Sequence, residues 1–286
     1  MTHRPTPEQA LEGLIGRIDA VPAGGLAPDS VPTGFPSLDR MIGGGLRRED
    51  LIVLAGDVGS GKSSLALAIA IRAARAGAPT LVLSGEMSPD RMLERALAME
   101  GGVAIDDLRR GRLEPESRAA VGAAAVRLRG LPLRLQPLAG DRFDEVTDSL
   151  DQVPGRALVV VDSLQLTPAP QPTARLDERI ALAVRALKAL AVGRHLAVLA
   201  TSQLPGLRGD RPDPRPTLDD LGGLGVIKQA ADLVLAVYRE EMYHPGQGVE
   251  GATELIVAKN RNGPTGFVDL YFRPRLLRME DMLDPE

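Results

Sequence analysis

The chain has 286 residues, 44% of them apolar, and a formal net charge of −4, which suits one large α/β domain with an extension and gives no global attraction to nucleic acid, although a ring could still concentrate basic residues in a pore. There is no cysteine, which excludes a disulfide framework and thiolate metal sites, and His3, His195 and His244 lack ligand spacing, so no zinc is expected. The N-terminus carries no signal-like apolar region, and the longest apolar stretch, Leu65 to Ile71, is far shorter than a membrane span, which leaves a cytoplasmic protein with no membrane partner as the expectation.

Residues 6–20 place Leu11, Leu14, Ile15 and Ile18 at helical spacing, with Thr6 as N-cap and Pro7 in the first turn. The apolar face of this helix needs cover, either from its own domain or from a neighbouring subunit. A stretch rich in Pro and Gly, Val21 to Pro32, reads as a linker, so residues 1–32 form a linker helix and linker, and 33–286 the main domain. Strands are expected at Leu51 to Ala55, Thr80 to Ser84, Leu133 to Gln136, Ala157 to Val161 and Leu196 to Thr201. Several are continuous apolar runs, which suit strands buried on both faces. Helices at 62–76 and 176–192, with Gly77 and Gly193 where C-caps belong, complete an alternating pattern. After residue 230 come strands without helices: Asp232 to Tyr238, Thr253 to Ala258, Gly266 to Phe272 and Leu276 to Met279, with a turn at Asn262-Gly263-Pro264. The expected fold is α/β: a mostly parallel sheet with helices on both faces, an antiparallel C-terminal extension and a preceding helix.

Gly56-Asp57-Val58-Gly59-Ser60-Gly61-Lys62-Ser63 spells GxxxxGKS between a strand and a helix, the context a phosphate-binding loop requires. Glycines let backbone amides turn around phosphate oxygens, Lys62 reaches the β and γ phosphates, the Ser63 hydroxyl ligates Mg²⁺, and Ser64 extends the contact set along the helix N-terminus. ATP with Mg²⁺ is therefore the expected cofactor. Ligand-binding groups in such sheets collect at the carboxyl ends of strands. Asp162 ends one strand, where a carboxylate holds Mg²⁺. Glu86 follows another and is placed to activate water, or else serves as an ordinary first-turn glutamate. Thr201-Ser202-Gln203 ends a third, as a γ-phosphate sensor or a plain polar exit. Lys259 and Arg261 precede the NGPTG turn, either as cations supplied in trans to a neighbour's phosphates or as solvated charges beside a hairpin.

From Thr33 to about Asp281 the chain resembles the RecA-like motor domain of replicative DnaB-type hexameric helicases. The resemblance rests on TGFPSLDRMIGGG at 33–45, the phosphate loop, SGEMS at 84–88, VVVDSLQL at 159–166, ATSQL at 200–204 and AKNRNGPTG at 258–266, in matching order and spacing. It implies that Glu86 is the catalytic carboxylate, that Gln203 couples nucleotide state to DNA-facing loops, that Lys259 and Arg261 enter the neighbour's ATP site, and that Arg95 belongs to the motor site. It also implies a homo-hexamer, single-stranded DNA as partner, a helicase loader, and movement 5′ to 3′. The first helix is similar to the family's linker helix, which docks on the adjacent subunit, while the collar domain that ordinarily precedes it and meets primase has no counterpart here.

The chain departs from the family in the loops that face DNA. Motifs usually reading SQLSR and DLRESGS here read Ser202-Gln203-Leu204-Pro205-Gly206 and Asp220-Leu221-Gly222-Gly223-Leu224-Gly225-Val226. Phosphate-contacting arginines are replaced by Gly206 and Gly222, and a glutamate by Gly223, while Gly225 is retained. Fewer arginines weaken the grip on a strand. Arg208, Arg211 and Arg215 in the same loop are candidates to compensate, or simply keep a proline-rich loop soluble. The residues thus support an ATP-driven DNA helicase or single-strand translocase, with a DnaB-derived or KaiC-like ring ATPase that does not unwind DNA as the alternative.

Overall fold

The computed structural model describes residues 6–19, 21, 27, 29–138, 140, 142–152, 155, 157–171, 173, 175–205, 211–246 and 248–282. In chain order the elements are α1 (Pro7–Asp19), β1 (Ser30–Val31), α2 (Pro36–Met41), β2 (Leu46–Arg47), β3 (Leu51–Gly56), α3 (Lys62–Arg75), β4 (Thr80–Ser84), α4 (Pro89–Gly101), α5 (Ile105–Arg109), α6 (Pro115–Arg129), β5 (Leu133–Pro137), α7 (Asp144–Asp151), β6 (Leu158–Asp162), α8 (Leu176–Arg194), β7 (Ala197–Gln203), α9 (Val226–Ala230), β8 (Leu233–Arg239), β9 (Ala252–Asn260), β10 (Gly266–Arg273) and β11 (Arg278–Asp281). β1 and β2 form a small antiparallel ribbon, so the last residues of the expected linker are already structured. The other nine strands make one sheet in the order β11-β10-β9-β8-β3-β7-β6-β4-β5.

From β8 across to β5 every neighbouring pair is parallel, and from β8 outward to β11 every pair is antiparallel. β8, expected as the start of the antiparallel extension, is instead a pivot, parallel to β3 on one edge and antiparallel to β9 on the other. Its sequence does not reveal this, because a buried strand reads the same in either pairing. The continuous apolar runs serve both faces. Ile52 and Leu54 join α3 and α4 residues in one core, while Leu51, Val53 and Ala55 pack with α8 and α9 residues in the other.

Gly77 stands just past the C-cap of α3 with a φ of +88°. Gly193 does not cap α8. The helix runs through it to Arg194, and His195 takes the left-handed conformation with φ +52°, its Nδ1 2.5 Å from Glu49 Oε1. A long-range partner thus fixes a residue at a position where glycine is usual.

On α1, the Thr6 hydroxyl accepts from Gln9 N at 3.3 Å and Gln9 Oε1 accepts from Thr6 N at 3.0 Å, a reciprocal capping box. Leu11, Leu14, Ile15 and Ile18 are 46–61% exposed, so the described residues of the chain's own domain leave this face open. At the far end, buried Asp281 on β11 accepts from Ser37 N at 2.7 Å and Ser37 Oγ at 2.6 Å, fastening the first turn of α2 to the sheet's last strand. Asp281→Ala strands these donors, and we predict a loss of about 2 kcal/mol in unfolding free energy by urea titration, with far-UV circular dichroism unchanged.

Candidate active site

Gly56, the last residue of β3, pairs with Gln203 of β7 on one side and Val237 of β8 on the other. The chain then turns through Asp57–Gly61, with φ of +79° at Gly59 and +98° at Gly61, and enters α3 at Lys62. The tightness has a steric basis: a Cβ on Gly56 would lie 2.6 Å from Ser60 Oγ, and one on Gly61 2.8 Å from Met279 Cε. Lys62 is buried and its Nζ donates to the Asp57 carbonyl at 2.7 Å. Burial lowers its pKa from the ordinary 10.5, against the pull of Glu86, Asp162 and Asp57. Ser60 Oγ is buried without a hydrogen-bond partner, an orphan polar atom inside a loop whose amides suit phosphate.

β6 delivers Asp162, 4% exposed, whose Oδ1 accepts from Ser63 Oγ at 3.3 Å and Thr201 Oγ1 at 2.5 Å. Burial raises its pKa above 3.8, and the like charge of Glu86 adds to this, while the Thr201 and Ser63 bonds and Lys62 oppose it. A hydroxyl and a carboxylate this close are a hard-oxygen donor pair that fits Mg²⁺ beside a phosphate loop. Ser84 at the end of β4 accepts from the amides of Glu86 and Met87 at 3.3 and 3.1 Å, and Gly85 N donates to the Asp162 carbonyl at 2.7 Å, so the SGEM turn is fixed to the β6 end. From there the exposed Glu86 carboxylate meets Gln203 Nε2 at 3.4 Å. Arg95 on α4 lines the same cleft, and burial, then the like charge of Arg109, lowers its pKa.

The cleft, about 360 Å³, is lined by Val58, Lys62, Ser63, Ser64, Glu86, Arg95, Asp162 and Gln203, so these sequence-predicted residues are brought together. Lys259 and Arg261 do not line it. Lys259 Nζ donates to the carbonyls of Lys228 and Ala231 at 2.8 and 2.6 Å, and Arg261 Nη1 to Asp232 at 2.7 Å, at the opposite end of the strands. The cleft has two further walls that the sequence reading did not single out. Arg239, at the end of β8, donates to the Gly59 carbonyl at 3.0 Å and lies 4.7 Å over the Phe272 ring. Phe272, Pro274 and Leu277 form the apolar side. The sequence offered only that Arg239 stands at a strand end, and it is the parallel pairing of β8 with β3 that brings that end to the loop.

Of the residues expected to face DNA, Arg208 and Gly206 lie outside the described residues. Arg211 donates to both oxygens of Asp220 at 2.9 Å. Arg215 donates from Nε to Glu254 at 2.7 Å and packs 4.8 Å over Tyr238. The candidate phosphate contacts are therefore already matched by carboxylates. Gly225 is the N-cap of α9 with φ +77°. Gly223, with φ +72°, donates from N to Asp177 at 3.1 Å, and a Cβ there would sit 2.8 Å from Ile180 Cγ2. The left-handed backbone and the close Ile180 methyl disfavour a glutamate at 223.

This sheet, phosphate loop and set of strand-end groups define the RecA-like P-loop fold. The family model for the DnaB-like helicase C terminal domain matches residues 30–281, and the chain belongs to that family. It is 34% identical over 250 residues to the replicative DNA helicase DnaB of Geobacillus stearothermophilus, covering 85% of this chain and 54% of that protein. With the replicative DNA helicase DnaB of Pasteurella multocida it shares 34% identity over 89% of this chain and 56% of that protein. A solved DnaB-like replicative helicase, described with its interactions with primase, superposes with a TM-score of 0.88 at 25% identity over 97% of this chain and 68% of that one. The chain spans about half the length of the curated relatives it matches. Among the described residues no helix is long and apolar enough to cross a membrane.

Gly61→Ala adds left-handed strain of about 1 kcal/mol and displaces Met279. We predict at least about tenfold weaker binding of a nonhydrolysable nucleoside triphosphate by calorimetry, in keeping with a loss above 1.4 kcal/mol. Gly77→Ala, at φ +88° with nothing within 4 Å, carries the strain alone and leaves binding unchanged.

Proposed function

We propose that this chain is a DnaB-like motor that hydrolyses ATP at the interfaces of a hexameric ring and translocates on single-stranded DNA, 5′ to 3′, separating strands as it moves. The observation that carries the reading is the junction at the end of β3, where Gly56 of the phosphate loop pairs with Gln203 and Gln203 meets Glu86 at 3.4 Å. This links the phosphate site, the carboxylate that handles water, and the strand exit that leads to the DNA-facing segment.

Bound Mg²⁺–ATP would supply an electrophilic γ-phosphoryl group and a cation to neutralise its charge. Ser63 and Asp162 hold the cation, and the loop amides and Lys62 hold the phosphates. Glu86 orients and deprotonates the attacking water, and Gln203 reports on the γ-phosphate. Arg239 and Phe272 supply a cationic and an aromatic face for the nucleobase. Lys259 and Arg261, remote from this cleft, act on the ATP of an adjacent copy. The open stripe Leu11, Leu14, Ile15 and Ile18 is the face by which α1 docks on that copy.

A second reading, a ring ATPase that does not unwind DNA, draws on one observation: Arg211 and Arg215 are held by Asp220 and Glu254 and so present little free charge to a phosphate backbone. ATP turnover measured with and without single-stranded DNA across a salt series separates the two. The motor reading predicts stimulation at low salt, steep loss as salt rises, and no turnover with intact ATP binding in Glu86→Gln. An assembled ring that binds ATP yet shows no stimulation at low salt contradicts it.

A further inference from the structure

Asp232, 1% exposed, immediately precedes β8 and gathers contacts from three parts of the chain. Its Oδ2 accepts from Leu51 N at 2.8 Å and Lys188 Nζ at 2.6 Å, while its Oδ1 accepts from Arg261 Nη1 at 2.7 Å. The Asp232 carbonyl also accepts from Arg261 N at 2.9 Å. Lys188 is itself fixed, donating to the Glu49 carbonyl at 2.7 Å. Around the same hairpin, Asn262 Nδ2 donates to Asp50 at 2.7 Å and Lys259 Nζ closes on the last carbonyls of α9.

A carboxylate this deeply buried persists as a charge only when cations and donors satisfy it, and here two cations and a backbone amide do so. Arginine has five donor hydrogens in a rigid fork. The bond to Asp232 engages one edge, and the Arg261 side chain stays 53% exposed. Its backbone and Nη1 are clamped at Asp232, and Nη2 makes a longer contact of 3.5 Å to the Gln229 carbonyl, while about half of the side chain remains exposed. None of this network lines the chain's own nucleotide cleft.

We propose that Asp232, fixed by Lys188 and the Leu51 amide, is a positioning residue that sets Arg261 for the ATP site of the neighbouring copy. This rests on the trans assignment of Arg261 made above. Leu51 opens β3, the strand that ends in the phosphate loop, so one rigid strand ties the arginine serving one site to the loop of the next. Asp232→Asn weakens the clamp and keeps the shape. A misplacement of about 1 Å in such a group costs on the order of a hundredfold in rate.

The test coproduces variants so that they assemble together, and reads ATP turnover per ring. Asp232→Asn alone lowers kcat on the order of tenfold to a hundredfold, with the KM for ATP and ring size unchanged. Rings mixing Asp232→Asn with Lys62→Ala subunits recover turnover above either variant alone, because some interfaces then join an intact loop to an intact arginine. If those rings show no recovery while mixed Arg261→Ala and Lys62→Ala rings do recover, Asp232 acts on its own subunit's loop and the inference is overturned. If the Arg261→Ala mixture also fails, the trans assignment itself falls, and this inference with it. Should Asp232→Asn not fold, Lys188→Met, at a quarter-exposed side chain, is read in the same mixtures with the same outcomes.

Discussion

β3 is buried along its whole length between β7 and β8, so both of its edges must be satisfied by in-register backbone hydrogen bonds. That requirement places nearly every group of the cleft. Register with β7 sets Gln203 against Gly56, and register with β8 brings Arg239 beside the loop. β6 and β4, paired Ser84 to Asp162, then bring Glu86 and the carboxylate to the same edge. A slip of one residue would turn each strand's side chains to the opposite face, and both cores forbid it.

The cleft holds charge that the folded chain only partly compensates. Burial pushes Lys62 down and Asp162 up, each toward neutrality, with the other as one of its few counter-charges. An isolated pair of this kind gains little for stability. Phosphate against Lys62 and a cation against Asp162 would offset both costs at once. The segment proposed to face DNA follows the opposite logic, since Arg211 and Arg215 are paired with Asp220 and Glu254 within the chain. Among the described residues of this segment, the candidate cations are thus paired within the chain, in contrast to the cleft.

Much of this was legible in the residues. Continuous apolar runs gave the parallel strands to within a residue or two, and the strand-end rule gave Asp162, Glu86 and Gln203, because both depend on local sequence alone. Features that depend on remote partners were not. His195 takes over from Gly193 as helix terminator through Glu49, far away in sequence. The neutralisation of Arg215 comes from Glu254, and the clamp on Arg261 from Asp232 and Lys188. Arg239 was illegible for a different reason: it ends a strand whose apolar sequence reads the same in parallel and antiparallel pairing, so nothing local places it beside the loop.

In the proposed trans arrangement, one chain holds only part of an ATP site. Specific ATPase activity measured against protein concentration, with mass photometry of the same samples, tests it most directly. Turnover per subunit should follow the fraction of chains in assemblies and vanish with dilution to monomer. Undiminished turnover per subunit in a purely monomeric population would contradict the account.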